Sequence, residues 1–307
     1  MGYLLINLLI ILAIPFIYIG VINKTKAVFS GRKGAPIIQP FFDFIKLMRK
    51  GEIISTTTTY VFQISSVIFL STVVFAGLLI PGAGHQSILM FEGNFILFVY
   101  ILSIGKFFML INAMDTGSSF EGMGASREAF YSSIPEPAFF IILGALCLFQ
   151  DTFTFDKLVN VIKNRSELGI LIVILISAIL FIILLIEGKR IPIDDPNTHL
   201  ELTMIHEVMA LDNSGPSLGF IQYGSAMKMV LISMLILDFL IPANLGLPVS
   251  VGLLLIGLYI IAIAIGVIES TIARFRLVRI PDFILPTLSM SLIVMFIILI
   301  LAQGGLK

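Results

Sequence analysis

The chain has 307 residues, of which 58% are hydrophobic and 12% charged, and its mean hydropathy is +1.08. This composition excludes a soluble globule and specifies an integral membrane protein. A formal net charge of zero gives no general attraction to nucleic acid. The single cysteine, Cys147, rules out an intrachain disulfide and a self-contained multi-cysteine metal or iron–sulfur centre, so any redox centres are expected on other subunits.

A membrane-spanning helix needs about 20 apolar residues. Eight runs qualify or nearly do, at 3–22, 59–81, 93–113, 134–150, 168–187, 217–241, 248–268 and 283–303. The first has no positive segment before it, and its basic residues, Lys24 and Lys26, follow it. It is therefore expected to be a retained span and not a signal peptide. The fourth is the shortest and carries Glu136. The predicted fold is an all-α polytopic membrane protein, one integral membrane domain over residues 1–307.

Positive charge orients the spans. Thirteen Lys and Arg residues fall on the odd-numbered connections and four on the even-numbered ones and the C-terminus. The remaining two, Lys106 and Lys228, fall inside spans. The bias places the odd connections in the cytoplasm and both termini outside. Most acids lie on the same side, and a mixed-sign face suits docking of a soluble partner.

The first cytoplasmic connection reads GRKGAPIIQPFFDFIKLMRKGEI. Pro40 can open a helix at its first position. Phe41, Phe42, Phe44, Ile45, Leu47 and Met48 then oppose Asp43, Lys46, Arg49 and Lys50, which predicts an amphipathic helix in the membrane interface. Arg32, Lys33, Gln39, Asp43, Lys46 and Lys50 are the candidate partner-docking residues.

The second cytoplasmic connection reads DTGSSFEGMGASREAFYSSIPEP. Gly117, Gly122 and Gly124 are expected to make its backbone pliable. Glu121, Glu128 and Glu136 surround Arg127. Glu136 is either a partly desolvated carboxylate able to exchange protons or the partner of Arg127 in a structural ion pair. Inside the spans, Lys106 either snorkels toward the cytoplasm or pairs within the bundle. Lys228 lies deep in the sixth span, and Asp238, near its outer end, is expected to reach water.

The densest segment is EGKRIPIDDPNTHLELTMIHE, residues 187–207. Pro192 and Pro196 break regular helix after the fifth span. Thr198 and Glu201 have the spacing of a capping box, which predicts a new helix carrying His199 and His206 on one face. Asp195, His199, His206 and Glu207 could hold a metal, but the spacing fits a chain of carboxylates and imidazoles that passes protons better. Glu187, Arg190, Asp194, Asp195, Glu201 and Glu207 join that candidate chain.

Together these three connections resemble the membrane-anchor subunit shared by respiratory complex I and the energy-converting group 4 nickel–iron hydrogenases, over most of the chain. The resemblance rests on Gly31, Arg32, Gly34, Gln39, Pro40, Asp43, Lys46, Leu47 and Lys50, on the Arg127–Glu136 spacing, and on Glu187, Arg190, Pro192, Asp194 and Pro196. Complex I subunits continue after Pro196 with alternating glutamates. Here Asn197 and His199 intervene and Glu201 keeps a matching place, which points to the hydrogenase branch.

The resemblance implies eight spans and no cofactor in this chain. It also implies hydrogenase large and small subunits and an iron–sulfur subunit as partners, which carry the nickel–iron site and the clusters, together with antiporter-like membrane subunits. Its implied role is to anchor that redox arm and couple hydrogen evolution to proton or sodium movement. The coupling residues would be Lys106, Glu121, Arg127, Glu128, Glu136, Glu187, Arg190, Asp194, Asp195, His199, Glu201, His206, Glu207 and Lys228. Other readings are a quinone- or sulfur-reducing relative and a free-standing ion transporter.

Overall fold

A computed structural model describes residues 2–82, 85–150, 152–161, 167–195, 204–241 and 245–303. These form α1 (Gly2–Phe29), α2 (Gln39–Arg49), α3 (Tyr60–Leu79), α4 (Asn94–Asp115), α5 (Ser119–Ser132) and α6 (Pro135–Gln150). They continue as α7 (Phe155–Val161), α8 (Glu167–Glu187), α9 (His206–Met209), α10 (Gly215–Leu240), α11 (Leu247–Thr271) and α12 (Ile280–Gln303). No strand occurs among the described residues. Among the described residues, eight segments are long and apolar enough to cross a membrane, with α5 and α6 together forming the fourth. Each of the eight predicted runs falls within or on one of them.

The centre of the bundle is α10, whose residues from Ala226 to Phe239 are all buried. A helix apolar on every side belongs inside a bundle. α1, α2, α3, α8 and α11 pack on α10, α3 pairs with α4, and α12 closes against α6 and α8. The α3–α4 pair is tied at its mouth by Asp115, which accepts from Thr59 N (2.7 Å) and Phe62 N (3.3 Å). Thr59 Oγ1 in turn accepts from Val61 N and caps α3.

Helix α2 matches the predicted amphipathic helix. Pro40 sits in its first turn, and none of its residues is buried. Phe41 and Phe44 lean on Phe16 of α1, and Phe16 stacks on Tyr223 of α10 at 4.7 Å. The chain reaches α2 by passing so close to α1 that a Cβ on Gly20 would sit 1.8 Å from the Ile37 carbonyl oxygen. Only glycine allows that approach.

Three expectations are corrected. The second connection is not a pliable loop but the helix α5, with Gly122 and Gly124 inside it. A Cβ on Gly124 would meet Val208 Cγ1 at 2.3 Å, so this glycine serves close packing of α5 on α9. Helix α9 begins at His206, because Met204 and Ile205 are not helical, so no continuous helix runs from Thr198 through Glu207. Asp238 does not reach water: it is 0% exposed within α10.

Candidate functional site

The end of α8 builds the site. Arg190 N donates to Leu185 O (3.0 Å) and Lys189 N to Ile186 O (3.1 Å), the two bonds of a Schellman helix stop. Glycine usually takes the left-handed residue of such a stop, but here it is Lys189, with φ 53°. A lysine in that conformation costs about 1–2 kcal/mol. Gly188 stands one residue earlier, where a Cβ would meet Met229 Cγ at 2.9 Å. The strained turn sends Glu187, Lys189, Arg190 and Asp194 in different directions, each to its own ionic partner.

Glu187 joins an alternating chain of four charges. Lys106 Nζ lies 2.8 Å from Glu136 Oε1 and 2.8 Å from Glu187 Oε1, and Lys228 Nζ pairs with Glu187 Oε2. These groups come from α4, α6, α8 and α10. The two lysines and Glu187 are largely buried, whereas the Glu136 side chain keeps 33% of its exposure. A cavity of about 40 Å³ runs among them. A water needs about 10–15 Å³ of such space, so the cavity has room for more than one.

Lys189 turns toward Glu128 of α5 (3.4 Å) and donates to His206 Nδ1. With Nδ1 accepting, His206 is the neutral tautomer that donates from Nε2 to Ser225 Oγ (3.3 Å). Burial first, then the charges of Lys189 and Lys228, hold the His206 pKa well below the ordinary imidazole value. Burial also lowers the Lys189 pKa, and Glu128 opposes that shift. A small void of about 10 Å³ lined by Glu128, Glu187, Lys189 and Asp194 lies between this group and the four-charge chain.

Arg190 faces Glu269 of α11 at 3.3 Å, and Glu269 also meets Lys26 of α1 at 2.7 Å. The Lys26 contact is an ion pair and not a well-directed hydrogen bond, since Glu269 Oε2 has no hydrogen-bond partner. Asp194 pairs with Arg274 at 2.9 Å and accepts from His206 N (3.0 Å) and Ile205 N (3.2 Å). Burial outweighs these partners and raises the Asp194 carboxyl pKa. Phe275 N donates to Pro192 O at 2.9 Å, which ties the α11–α12 connection to the same segment.

Beside these groups lies a cavity of about 440 Å³ between α1, α2, α10 and the 188–194 and 206–210 segments. Lys189, Arg190, Asp194, His206 and Glu207 line one side, and Phe16, Phe44 and Tyr223 the other. On the α2 side it meets Pro40, Asp43 and Phe44, and at the end of α8 it meets the ionisable Lys189, Arg190 and Asp194.

The structure thus brings Lys106, Glu128, Glu136, Glu187, Arg190, Asp194, His206 and Lys228 together, with Glu207 at the cavity wall. Arg127 does not pair with Glu136. It donates to Met204 O at 2.7 Å, and Lys106 takes Glu136. Glu121 is also apart from the chain: it is fully buried and accepts from Asp212 N at 2.9 Å. Asp195 is half-buried, with its N–H on Asp194 Oδ1 at 3.0 Å. His199 and Glu201, with Pro196, Asn197 and Thr198, lie outside the described residues. Among those residues no three His, Cys, Asp or Glu side chains are placed to hold a metal ion. Of the docking candidates, Arg32, Lys33, Asp43, Lys46 and Lys50 are exposed, and Gln39 donates to Asp43 at 2.8 Å.

Sequence reasoning missed Lys26, Ser225, Glu269 and Arg274. The two acidic and basic residues of α11 and its connection had one visible signal, charge at the end of an apolar run.

The sign of the His206 effect follows from linkage. A lowered folded pKa leaves stability intact above about pH 6.5 and removes it as pH falls further, because only the unfolded chain protonates freely. The melting temperature of the detergent-solubilised protein is expected to fall below that pH, and His206→Gln is expected to remove most of the slope. Asp194 works in the opposite sense, since its raised pKa makes the folded state gain protons first as pH falls. An unchanged slope in His206→Gln would show that His206 is not held neutral.

Comparison with known proteins agrees with this architecture. The pattern of the family described as NADH dehydrogenase matches residues 2–300. The chain is 26% identical to hydrogenase-4 component C of Escherichia coli (strain K12) over 286 residues, 90% of each chain. It is 25% identical to formate hydrogenlyase subunit 4 of the same organism over 283 residues, 90% of this chain and 91% of that one. A chain of the membrane-bound sulfane sulfur reductase, an archaeal respiratory membrane complex, superposes with a TM-score of 0.80 at 22% identity, over 97% of this chain and all of that one. With eight membrane-crossing segments and a match over residues 2–300, this chain belongs to the NADH dehydrogenase family, the complex I subunit 1-like membrane proteins.

Proposed function

We propose that this chain is the membrane-anchor subunit of an energy-converting nickel–iron hydrogenase complex, and that it couples electron transfer in a docked redox arm to ion translocation. More coarsely, it is a membrane subunit of a complex I-like, hydrogenase- or formate hydrogenlyase-type assembly with partner subunits. The names of the two Escherichia coli relatives support the hydrogenase branch.

The observation that carries the coupling role is the continuity of ionisable groups. From the 440 Å³ cavity, His206 and Lys189 lead through the small void to Glu187, then to Lys106 and the partly exposed Glu136. Four elements contribute to it, and its links are ion pairs, a hydrogen bond and, between Lys189 and Glu187, a void of about 10 Å³. A change of charge at the cavity end shifts the proton preference of the next group, and the change passes along the chain. The redox arm would dock on the face carrying α2 and the exposed Arg32, Lys33, Lys46 and Lys50, which is proposed as cytoplasmic. The nickel–iron site and iron–sulfur clusters belong to that arm.

Purification of the intact complex through a tag on this chain tests the assignment, with nickel, iron and hydrogen evolution measured together. Nickel with hydrogen evolution supports it. Iron without nickel assigns the chain to a sulfur- or quinone-reducing relative. The coupling role has its own test in Glu136→Gln. Glu136 is the least buried member of the chain, so its loss is expected to leave assembly intact and to lower ion pumping. Normal pumping with normal assembly removes Glu136 from the mechanism.

A further inference from the structure

Where α4 ends and α5 begins, on the side of the charged loops, one buried acid lacks both a cation and a full set of hydrogen bonds. Glu121 is 0% exposed, and no ion pair reaches it among the described residues. Its Oε1 accepts from Asp212 N at 2.9 Å, and its Oε2 has no partner. The charge beside it is a second acid, the exposed Asp212. Next to Asp212 stands Asn213, 3% exposed, whose Oδ1 also has no partner.

The orientation of Asn213 is fixed by its neighbours. Asn112 of α4 donates through Nδ2 to Phe62 O at 3.0 Å, and a carbonyl can only accept. Asn112 Oδ1 therefore faces Asn213, which donates to it through Nδ2 at 2.9 Å. A flip of either amide would set oxygen against oxygen. Asn213 Oδ1 is thus an acceptor left without a donor. The Thr116 hydroxyl lies against the Glu121 carboxyl, but its one proton goes to Ala113 O at 2.9 Å. Its oxygen keeps a lone pair, since Ser118 N takes only one of two.

A buried carboxylate beside spare acceptors needs a positive charge. A water could donate to both oxygens, but it would leave the charge uncompensated. The Asp212 N–H and the start of α5, where Glu121 is the third residue, both turn positive dipoles toward the carboxyl. That suits a carboxylate with a counter-ion better than a neutral acid. One carboxylate balances one positive charge, and oxygens are the ligands that hard cations take.

We propose that Glu121 Oε2, Asn213 Oδ1 and Thr116 Oγ1 hold a monovalent cation, sodium or potassium. The ion joins the start of α5 to the end of α4 and to the 210–214 segment. The α2–α3 connection is tied to the same place, through Thr57 Oγ1 on Thr116 O (3.3 Å) and Ile53 N on Ser214 Oγ (3.0 Å). The site lies apart from the four-charge chain and does not rest on the coupling role proposed above.

Melting of the complex purified through a tag on this chain tests the site, in sodium, potassium or choline chloride at one ionic strength and pH. Sodium or potassium is expected to raise the melting temperature over choline by on the order of 5 °C once the ion is about a hundredfold above its dissociation constant. Neighbouring subunits can bind cations too, so the reading is the difference between wild type and variant. Glu121→Gln is expected to lose the cation effect, because an amide brings no charge. Thr116→Val keeps the shape and removes one ligand oxygen, so the half-effective concentration should rise several-fold.

An undiminished cation effect in Glu121→Gln overturns the proposal. If Glu121→Gln does not assemble, an unchanged half-effective concentration in Thr116→Val overturns it. Wild type that melts alike in all three salts, with Glu121→Gln beside it, also overturns it. That result would show a protonated Glu121 bonded to Asn213 Oδ1, a bond the glutamine amide reproduces. These outcomes do not depend on whether the complex contains nickel.

Discussion

Replacing Glu187 with glutamine is expected to destabilise the chain more than any other change to the four-charge chain. Glu187 is the one carboxylate shared by Lys106 and Lys228, and the side chains of all three are no more than 9% exposed. Glutamine keeps the shape but leaves two buried ammonium groups facing an uncharged amide. Breaking a buried pair by removing one partner costs about 3–5 kcal/mol. That is a large share of the 5–15 kcal/mol typical of a folded protein, roughly. The melting temperature of the solubilised protein should fall by on the order of 10 °C.

Glu136→Gln should fall far less, because Lys106 keeps Glu187 and the Glu136 side chain already meets solvent. The double variant Glu187→Gln/Lys228→Met should recover much of the loss, since the second change removes the stranded charge. A Glu187→Gln protein that melts with wild type would mean that the lysines are neutral or hydrated, and the alternating chain would have to be abandoned.

The contrast between these acids marks what sequence could and could not reveal. Apolar runs of the right length announced the eight spans, because span length is set by bilayer thickness. Proline position and one-sided aromatics announced α2. Lys106 and Lys228 stood out because charge inside a span is rare.

Pairing was less legible. Arg127 and Glu136 are nine residues apart, about 13 Å along a straight helix, and the chain breaks between α5 and α6 as well. Neither fact was visible while the segment read as a loop. The glycines misled for a related reason. Gly124 serves close packing within a helix, and at the end of α8 the left-handed position belongs to Lys189 and not Gly188. Glycine identity does not distinguish freedom of φ from absence of a side chain. Glu269 has partners 79 and 243 residues away in sequence, and no local pattern encodes such a contact.

Glu269 carries the second large expected effect. Its side chain is 0% exposed, and it lies between Lys26 and Arg190. Glu269→Gln should cost about 3–5 kcal/mol, as a broken buried pair does. Lys26→Met should cost less, because the Lys26 side chain is 22% exposed and water already screens it.

The informative protein is the double variant Arg190→Met/Glu269→Gln. It removes the buried cation with its anion and leaves Lys26 partly in water, so the melting temperature should return most of the way to wild type. Ion pumping should not return with it. Glu269 holds Arg190 at the wall of the 440 Å³ cavity, and the double variant lacks that guanidinium. Stability and coupling therefore separate in one protein. If pumping recovers together with stability, Arg190 and Glu269 serve only to fasten α11 to the end of α8. If stability recovers alone, the charge at the cavity wall is part of how a redox change in a docked arm reaches the buried lysines.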